Sequence, residues 1–222
     1  SIKQGAGLWL WKPYFIHKAL IEECAEGDIL FYLDAAAFFI SDVRMIEKVM
    51  DDDIYATCLP YIEADWTKSE AFDIMDMDKE VYKNSFQYQA SFMAFRKSMR
   101  SIMFVEEWLN NCCNPDLINP AQNIGKQIET FQNHRMDQSC FSLLCKKYNV
   151  SPHKDPTQFG IWGYPEVRGA RYVGVKMKNE YPIVIVLHRL KDFGLRNKLR
   201  LVKRTMCLIS KNIIKNIRRK RC

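Results

Sequence analysis

Short apolar runs alternate along the chain with stretches in which apolar residues recur every three or four positions. The first helical pattern opens at Pro13, whose fixed φ and missing N–H suit a first turn. It continues through Tyr14, Ile16, Leu20 and Ile21 to Glu26-Gly27. Asp28–Asp34 (DILFYLD) follows as an apolar run between a glycine and an acid, which predicts a buried strand of a parallel sheet with Asp34 at its C-terminal end. Next come a helix capped by Asp42 and running to Met50, a strand over Ile54–Leu59 stopped by Pro60, and a short helix from Thr67. Gln89–Arg96 (QASFMAFR) reads as a third strand, and Ser98 is placed to cap a helix to about Cys113. A helix over Asp137–Tyr148 puts Cys140, Phe141, Leu144 and Cys145 on one face and leaves Lys146 and Lys147 in solvent. Three of the eight prolines and three of the nine glycines fall in 151–169, so an irregular loop is expected there. Tyr172–Val175 and Ile183–His188 then look like short strands. Strands alternating with helices define an α/β class.

Beyond Gly194 the pattern changes. Leu195, Leu199, Val202, Met206, Ile209, Ile213 and Ile217 are three or four residues apart, which predicts one long amphipathic helix over 195–222 after a body spanning 1–194. The net charge of +7 belongs to that tail. Residues 189–222 hold 13 Lys/Arg against the single acid Asp192, whereas residues 1–188 hold 20 Lys/Arg against 25 Asp/Glu.

Hydrophobic residues make up 48% of the 222, enough for a sizeable core in one α/β domain with an appendage. No run of about 18 or more apolar residues and no basic segment leading into an apolar stretch occurs, so neither a spanning helix nor a signal peptide is expected. The eight cysteines are scattered; Cys112-Cys113 are adjacent, no CxxC pair exists, and Cys24, Cys58, Cys140 and Cys145 sit among apolar residues. That usage suits reduced core thiols in a cytoplasm rather than a disulfide framework or a zinc site.

The densest chemistry lies in GAGLWLWKPY, residues 5–14, where Trp9, Trp11, Lys12 and two glycines precede a helix. A helix N-terminus beside a lysine favours a diphosphate, and glycines let backbone approach a ligand; the tryptophans suit a pocket wall or a core equally. A second centre is His134-Arg135-Met136-Asp137-Gln138-Ser139, a carboxylate at a helix start, where an acid and a serine also serve as ordinary caps.

The run GAGLWLWKPYFIHKAL, then GDILFYLDAAAFFI, Trp66-Thr67-Lys68, QASFMAFRKS and HRMDQSCFSLLCKKY, in that order over about residues 5–190, resembles bacterial polysaccharide-assembly glycosyltransferases of the capsule, O-antigen and lipopolysaccharide type. The resemblance implies a GT-A, Rossmann-like nucleotide-diphospho-sugar transferase fold. It implies a nucleoside-diphosphate sugar as donor and a glycan or lipid-linked acceptor.

It also implies roles. Asp34 matches the first position of the family's acidic motif, at the strand-end crevice where open α/β sheets bind ligands, and there a carboxylate can hold Mn²⁺ or Mg²⁺ against two phosphates. The second acid is missing, since Asp34 is followed by Ala35-Ala36, so the metal has one carboxylate ligand, another partner, or no place. Asp137 matches the acid of a DQ motif and is the candidate base for the acceptor hydroxyl in an inverting reaction, with Gln138 facing sugar. His188 is the candidate second metal ligand, and Arg189 a phosphate fork. Trp11, Lys12, Gln89, Ser91 and Arg96 complete the donor-site candidates; the Arg96-Lys97 pair suits phosphates or plain solvation.

The basic helix 195–222 suits an anionic membrane surface, placing the protein at the inner face of a cytoplasmic membrane. The same charges suit nucleic acid, but no nucleic-acid-binding motif accompanies them, which makes nucleic acid the weaker expectation. Two rival readings follow from the missing acid and from a chain that begins almost at WKPY. One is an incomplete or inactive transferase fold lacking its first strand–helix unit and acting as a binding module; the other is a basic adaptor for which the body is scaffold.

Overall fold

The computed structural model describes residues 4–174, 181–188 and 195–219. It is a mixed α/β structure, and its residues fall into two compact units, one within 1–32, 51–153 and 165–176, the other within 33–50, 154–164 and 177–222.

The first unit opens with α1, Gly5–Leu8, whose backbone is left-handed through Trp9, with positive φ at Gly5, Ala6, Gly7, Leu8 and Trp9. Gly5 is required there, because a Cβ would lie 2.3 Å from the Trp9 ring. Helix α2, Trp11–Glu22, begins two residues before Pro13 and ends before the expected Gly27. Its C-terminal carbonyls are taken by Lys97, whose Nζ donates to Cys24 O at 2.6 Å and Ile21 O at 3.2 Å; this assigns Lys97 to a helix end. Strand β1, Ile29–Leu33, follows.

The second unit contributes β2, Ala37–Phe39, and α3, Arg44–Glu47. Here the predicted helix to Met50 shrinks to one turn. Asp42 accepts from the Arg44 backbone N–H and from its guanidinium, a local loop that satisfies the acid within two residues.

Strand β3, Ile54–Ile62, returns to the first unit and runs through Pro60 rather than stopping at it. The proline is accommodated at a register shift between Cys58 and Ile62, where no ladder N–H is demanded of it, and its carbonyl accepts from Val173 N–H at 2.8 Å. Three short helices follow: α4, Glu63–Trp66, α5, Ser69–Ile74, and α6, Glu80–Lys83. Strand β4, Phe86–Arg96, then pairs antiparallel with β3. Glu63 N–H donates to Ser85 O at 2.8 Å, so the excursion returns to the end of β3 from which it left. A parallel pair would instead require a crossover along the whole sheet.

Helix α7, Met99–Cys113, carries the predicted Ser98 cap as a reciprocal capping box with Ser101. Short α8, Pro115–Ile118, leads through an irregular stretch to α9, Met136–Lys147. Strand β5, Pro152–His153, joins β3 in parallel and completes a mixed four-stranded sheet in the order β1-β4-β3-β5, which replaces the parallel sheet expected from the apolar runs. The core lies between this sheet, α2, α7 and α9; Leu20, Phe95, Phe104, Trp108, Phe141 and Leu144 are each fully buried in it. Burial of such side chains contributes about 1.5–3 kcal/mol each.

In the second unit α10, Phe159–Trp162, lies within the predicted loop, and β6, Ile185–Leu187, pairs antiparallel with β2. The other edge of β6 is closed by Pro156 and Gln158: Ile185 N–H donates to Pro156 O at 3.2 Å, while Gln158 donates from Nε2 to Leu187 O at 2.7 Å and accepts from Leu187 N–H at 3.1 Å. Helix α11, Leu195–Arg219, is the predicted tail helix and belongs to this unit; Leu208 packs with Ile183 and Val186. Among the described residues no helix is long and apolar enough to cross a membrane. The expected strand at Tyr172–Val175 is reduced to a bridge between Tyr61 and Tyr172, and Val175 lies outside the described residues.

Candidate functional site

Lys12 occupies the first turn of α2 and points inward, whereas its neighbour Trp11 is part-exposed and donates from Nε1 to Gly5 O at 3.0 Å. The Lys12 ammonium meets three elements. It lies 2.8 Å from Asp137 Oδ2 on α9, donates to Ala90 O on β4 at 2.8 Å, and sits 5.4 Å from the centre of the Tyr32 ring on β1. Lys12 and Asp137 are each 4% exposed. At that depth an ion pair is retained only with full hydrogen bonding, and truncating either partner strands a buried charge.

Local structure accounts for where Asp137 stands. Of the acid and the serine that suit caps, Ser139 serves the helix start: the N-cap of α9 is Arg135, whose N–H donates to Ser139 Oγ at 3.1 Å, and Met136 takes a positive φ of 42°. The approach to the helix is latched onto α4. Asp65 O accepts from Gln132 N–H at 2.7 Å, while Trp66 O accepts from Arg135 N–H at 3.1 Å and from Ser139 Oγ at 2.9 Å. The Asp65 carboxylate accepts from Thr130 Oγ1 at 2.7 Å and Arg171 Nε at 2.9 Å. Trp108 Nε1 donates to Asp137 O at 2.9 Å, fixing the backbone of the acid from α7.

Gln138, next to the acid, ends a chain of buried polar groups. Its Nε2 donates to Gln87 Oε1 at 2.8 Å, and Gln87 Nε2 donates to Glu63 Oε1 at 3.1 Å. The other Glu63 oxygen receives Lys146 and Ser142. Because an ionised carboxylate only accepts, Glu63 dictates that Gln87 turns its NH₂ toward it; Gln87 then offers oxygen to Gln138, and Gln138 must present nitrogen in return. Lys146, expected in solvent, is thus buried. Burial pulls its pKa down while the Glu63 charge opposes the shift, and Lys147 is the residue that stays wet.

His134 is equally structural. Its Nδ1 accepts from Lys68 N–H at 3.3 Å and its Nε2 faces Leu117 O at 2.8 Å, so the neutral Nε2–H tautomer satisfies both. Burial, reinforced by the Lys68 charge, pushes its pKa down to about 3. Arg135 stacks 4.0 Å over the Trp66 ring.

The remaining candidates divide between the units. Gln89 is buried on β4 and donates to Thr57 Oγ1 at 2.9 Å, a cross-strand pair, while Ser91 lies half-buried further along the same strand. Arg96 ends β4 with its guanidinium 3.4 Å from Gly27 O and 3.9 Å from Asp53 Oδ1. In the second unit, Ala37 pairs with Leu187; Ala37 N–H donates to Asp34 O at 2.9 Å, and His188 N–H to Ala36 O at 2.9 Å. Asp34 and His188 therefore stand at the same end of the β2–β6 ribbon. Arg189 lies outside the described residues. Among the described residues no three His, Cys, Asp or Glu side chains gather as a metal cluster.

Sequence reading missed Glu63, Gln87 and Tyr32 as parts of the site. For Glu63 a signal exists: it is an acid directly after the buried apolar run of β3. Comparison of the chain with protein-family models, curated proteins and solved structures returned no match.

Proposed function

We propose that the chain is a nucleotide-diphospho-sugar-dependent glycosyltransferase of GT-A type that elongates a bacterial surface glycan. The observation that supports this reading is the buried Lys12–Asp137 pair, which joins the WKPY and DQS motifs, the two segments with the most chemistry in the sequence. In this reading the acceptor hydroxyl oxygen bonds to the anomeric carbon as the bond from that carbon to the diphosphate breaks. The hydroxyl proton passes to a general base and the nucleoside diphosphate leaves with the bonding electrons, while the buried Asp137, its charge held by Lys12, fixes the start of α9 beside Gln138. Lys12 holds the carboxylate in register, and Gln138, oriented by Gln87, hydrogen-bonds a sugar hydroxyl.

Asp34 and His188 would hold a divalent cation. Within the second unit, one oxygen and one nitrogen donor suit an ion that takes most of its ligands from diphosphate oxygens and water, as Mg²⁺ does.

Calorimetric titration with UDP, GDP and CMP, with and without Mn²⁺, tests the proposal. One nucleotide should bind saturably, and Asp34→Ala should weaken it. A folded protein that binds none of them would overturn the transferase reading and favour a transferase-like fold acting as a binding module.

A further inference from the structure

Among the described side chains of helix α11, which exclude Ile213 and Ile217 of the predicted stripe, one apolar face packs on its unit and another is exposed. Leu208 is fully buried against Ile183 and Val186, with Phe38 and Ile40 packed around them, and this side anchors the helix to its unit. The residues of the predicted stripe lie elsewhere on the surface: Leu195 is 75% exposed, Leu199 61%, Val202 55% and Met206 65%, with Ile209 exposed in line. At 100° per residue this stripe is centred roughly 140° around the helix from Leu208. A row of large apolar side chains on one helix face is more than scattered surface hydrophobics require.

The charges beside the stripe select its occupant. Its spacing of four, three, four and three residues is that of a coiled-coil seam, so a second copy of the chain is the obvious rival. In that register the flanking positions along the stripe are Arg196, Lys198, Lys203, Thr205 and Ser210; the three charged ones are exposed and cationic, and none is acidic. A parallel pair would set Lys198 of one helix against Lys203 of the other, the arrangement that coiled coils avoid. An anionic lipid surface reverses the sign of that term: the same cations meet headgroup phosphates while the stripe enters the acyl boundary.

We infer that α11 is a membrane-surface anchor lying flat on anionic lipid, with Leu195, Leu199, Val202, Met206 and Ile209 inserted, Arg196, Lys198 and Lys203 on headgroups, and Leu208 holding the rest of the unit on the opposite side. The inference does not depend on the transferase proposal.

Flotation of the full chain with phosphatidylcholine vesicles, with and without phosphatidylglycerol, tests it. Binding is expected only to the anionic vesicles and should weaken with added salt. Lys198→Gln with Lys203→Gln should weaken binding about 30-fold, each cation contributing about fivefold. Val202→Glu with Met206→Glu should abolish binding while leaving Leu208 and the fold in place. A Met206→Trp probe should shift its emission to the blue on anionic vesicles. The inference is overturned if the chain ignores anionic vesicles, if the probe does not shift, or if V202E/M206E instead dissolves a dimer of a chain that binds no lipid.

Discussion

Lys12 on the first turn of α2 and Asp137 on the first turn of α9 meet at 2.8 Å in the interior, with Ala90 O as the second acceptor of the ammonium. The contact ties two helices and β4 together at one charged point. Lys12→Met and Asp137→Leu should each destabilise the fold by about 3–5 kcal/mol, because each leaves one buried charge uncompensated. The double variant should recover a large part of that loss. Urea unfolding of the four proteins as a double-mutant cycle measures it, and purely additive losses would mean that the two side chains do not interact.

The chain from Glu63 through Gln87 to Gln138 makes a prediction about orientation. In E63Q the strongest acceptor-only anchor is gone, and the amide orientations rest on the longer bonds from Gln87 Nε2 to Trp66 O and from Ala90 N–H to Gln138 Oε1, each 3.4 Å. The side-chain amide resonances of Gln138 should move even though Gln138 touches no altered group. Stability should fall by about 3 kcal/mol or more as Lys146 loses its buried partner. Unmoved Gln138 resonances in a folded variant would show that its orientation is set elsewhere.

For His134 the sign follows from its depressed pKa of about 3, against an ordinary value of 6.5. Above the ordinary value neither state holds the extra proton and the full stability is present. As pH falls below it the unfolded chain takes up a proton that the folded chain refuses, and stability is lost toward the folded pKa. The limiting slope from this group is about 1.4 kcal/mol per pH unit. Urea melts at about pH 7 and about pH 5 should show the loss, and His134→Gln should reduce the difference between them.

Gly5→Ala addresses the left-handed entry to α2. A Cβ there meets the Trp9 ring in a backbone region that costs an L-residue about 1–2 kcal/mol. The variant should be destabilised by at least that amount, and tryptophan emission should change as the bond from Trp11 Nε1 to Gly5 O is disturbed. Unchanged emission and stability would show that this segment does not hold Trp11.

Much of the secondary structure was legible in the chain, because its causes are local. The Ser98 cap, the 3.6-residue periodicity of α7, α9 and α11, and the apolar runs of β1 and β4 each act within a few residues. The motifs that frame Lys12 and Asp137 were legible for the same reason. What the helix over Met136–Lys147 does with its own lysines was not. Lys146 and Lys147 are neighbours of identical type, yet one is buried on Glu63 and the other half-exposed beside Glu107. Only the packing of α9 on the sheet distinguishes them.

Sheet direction, the passage of β3 through Pro60 and the Glu63–Gln87–Gln138 chain belong to tertiary structure as well. Each is decided by where a distant segment returns: Ser85 beside Glu63, Val173 beside Pro60, Gln138 beside Gln87. By itself the sequence determined the long helices α7, α9 and α11 and the apolar strands β1 and β4, where the cationic charge accumulates, and which residue types are present to do chemistry. Which carboxylate meets which ammonium, and which strand runs antiparallel, was decided only when the chain closed on itself. Backbone and buried polar groups must then find partners, and those partners lie far along the sequence.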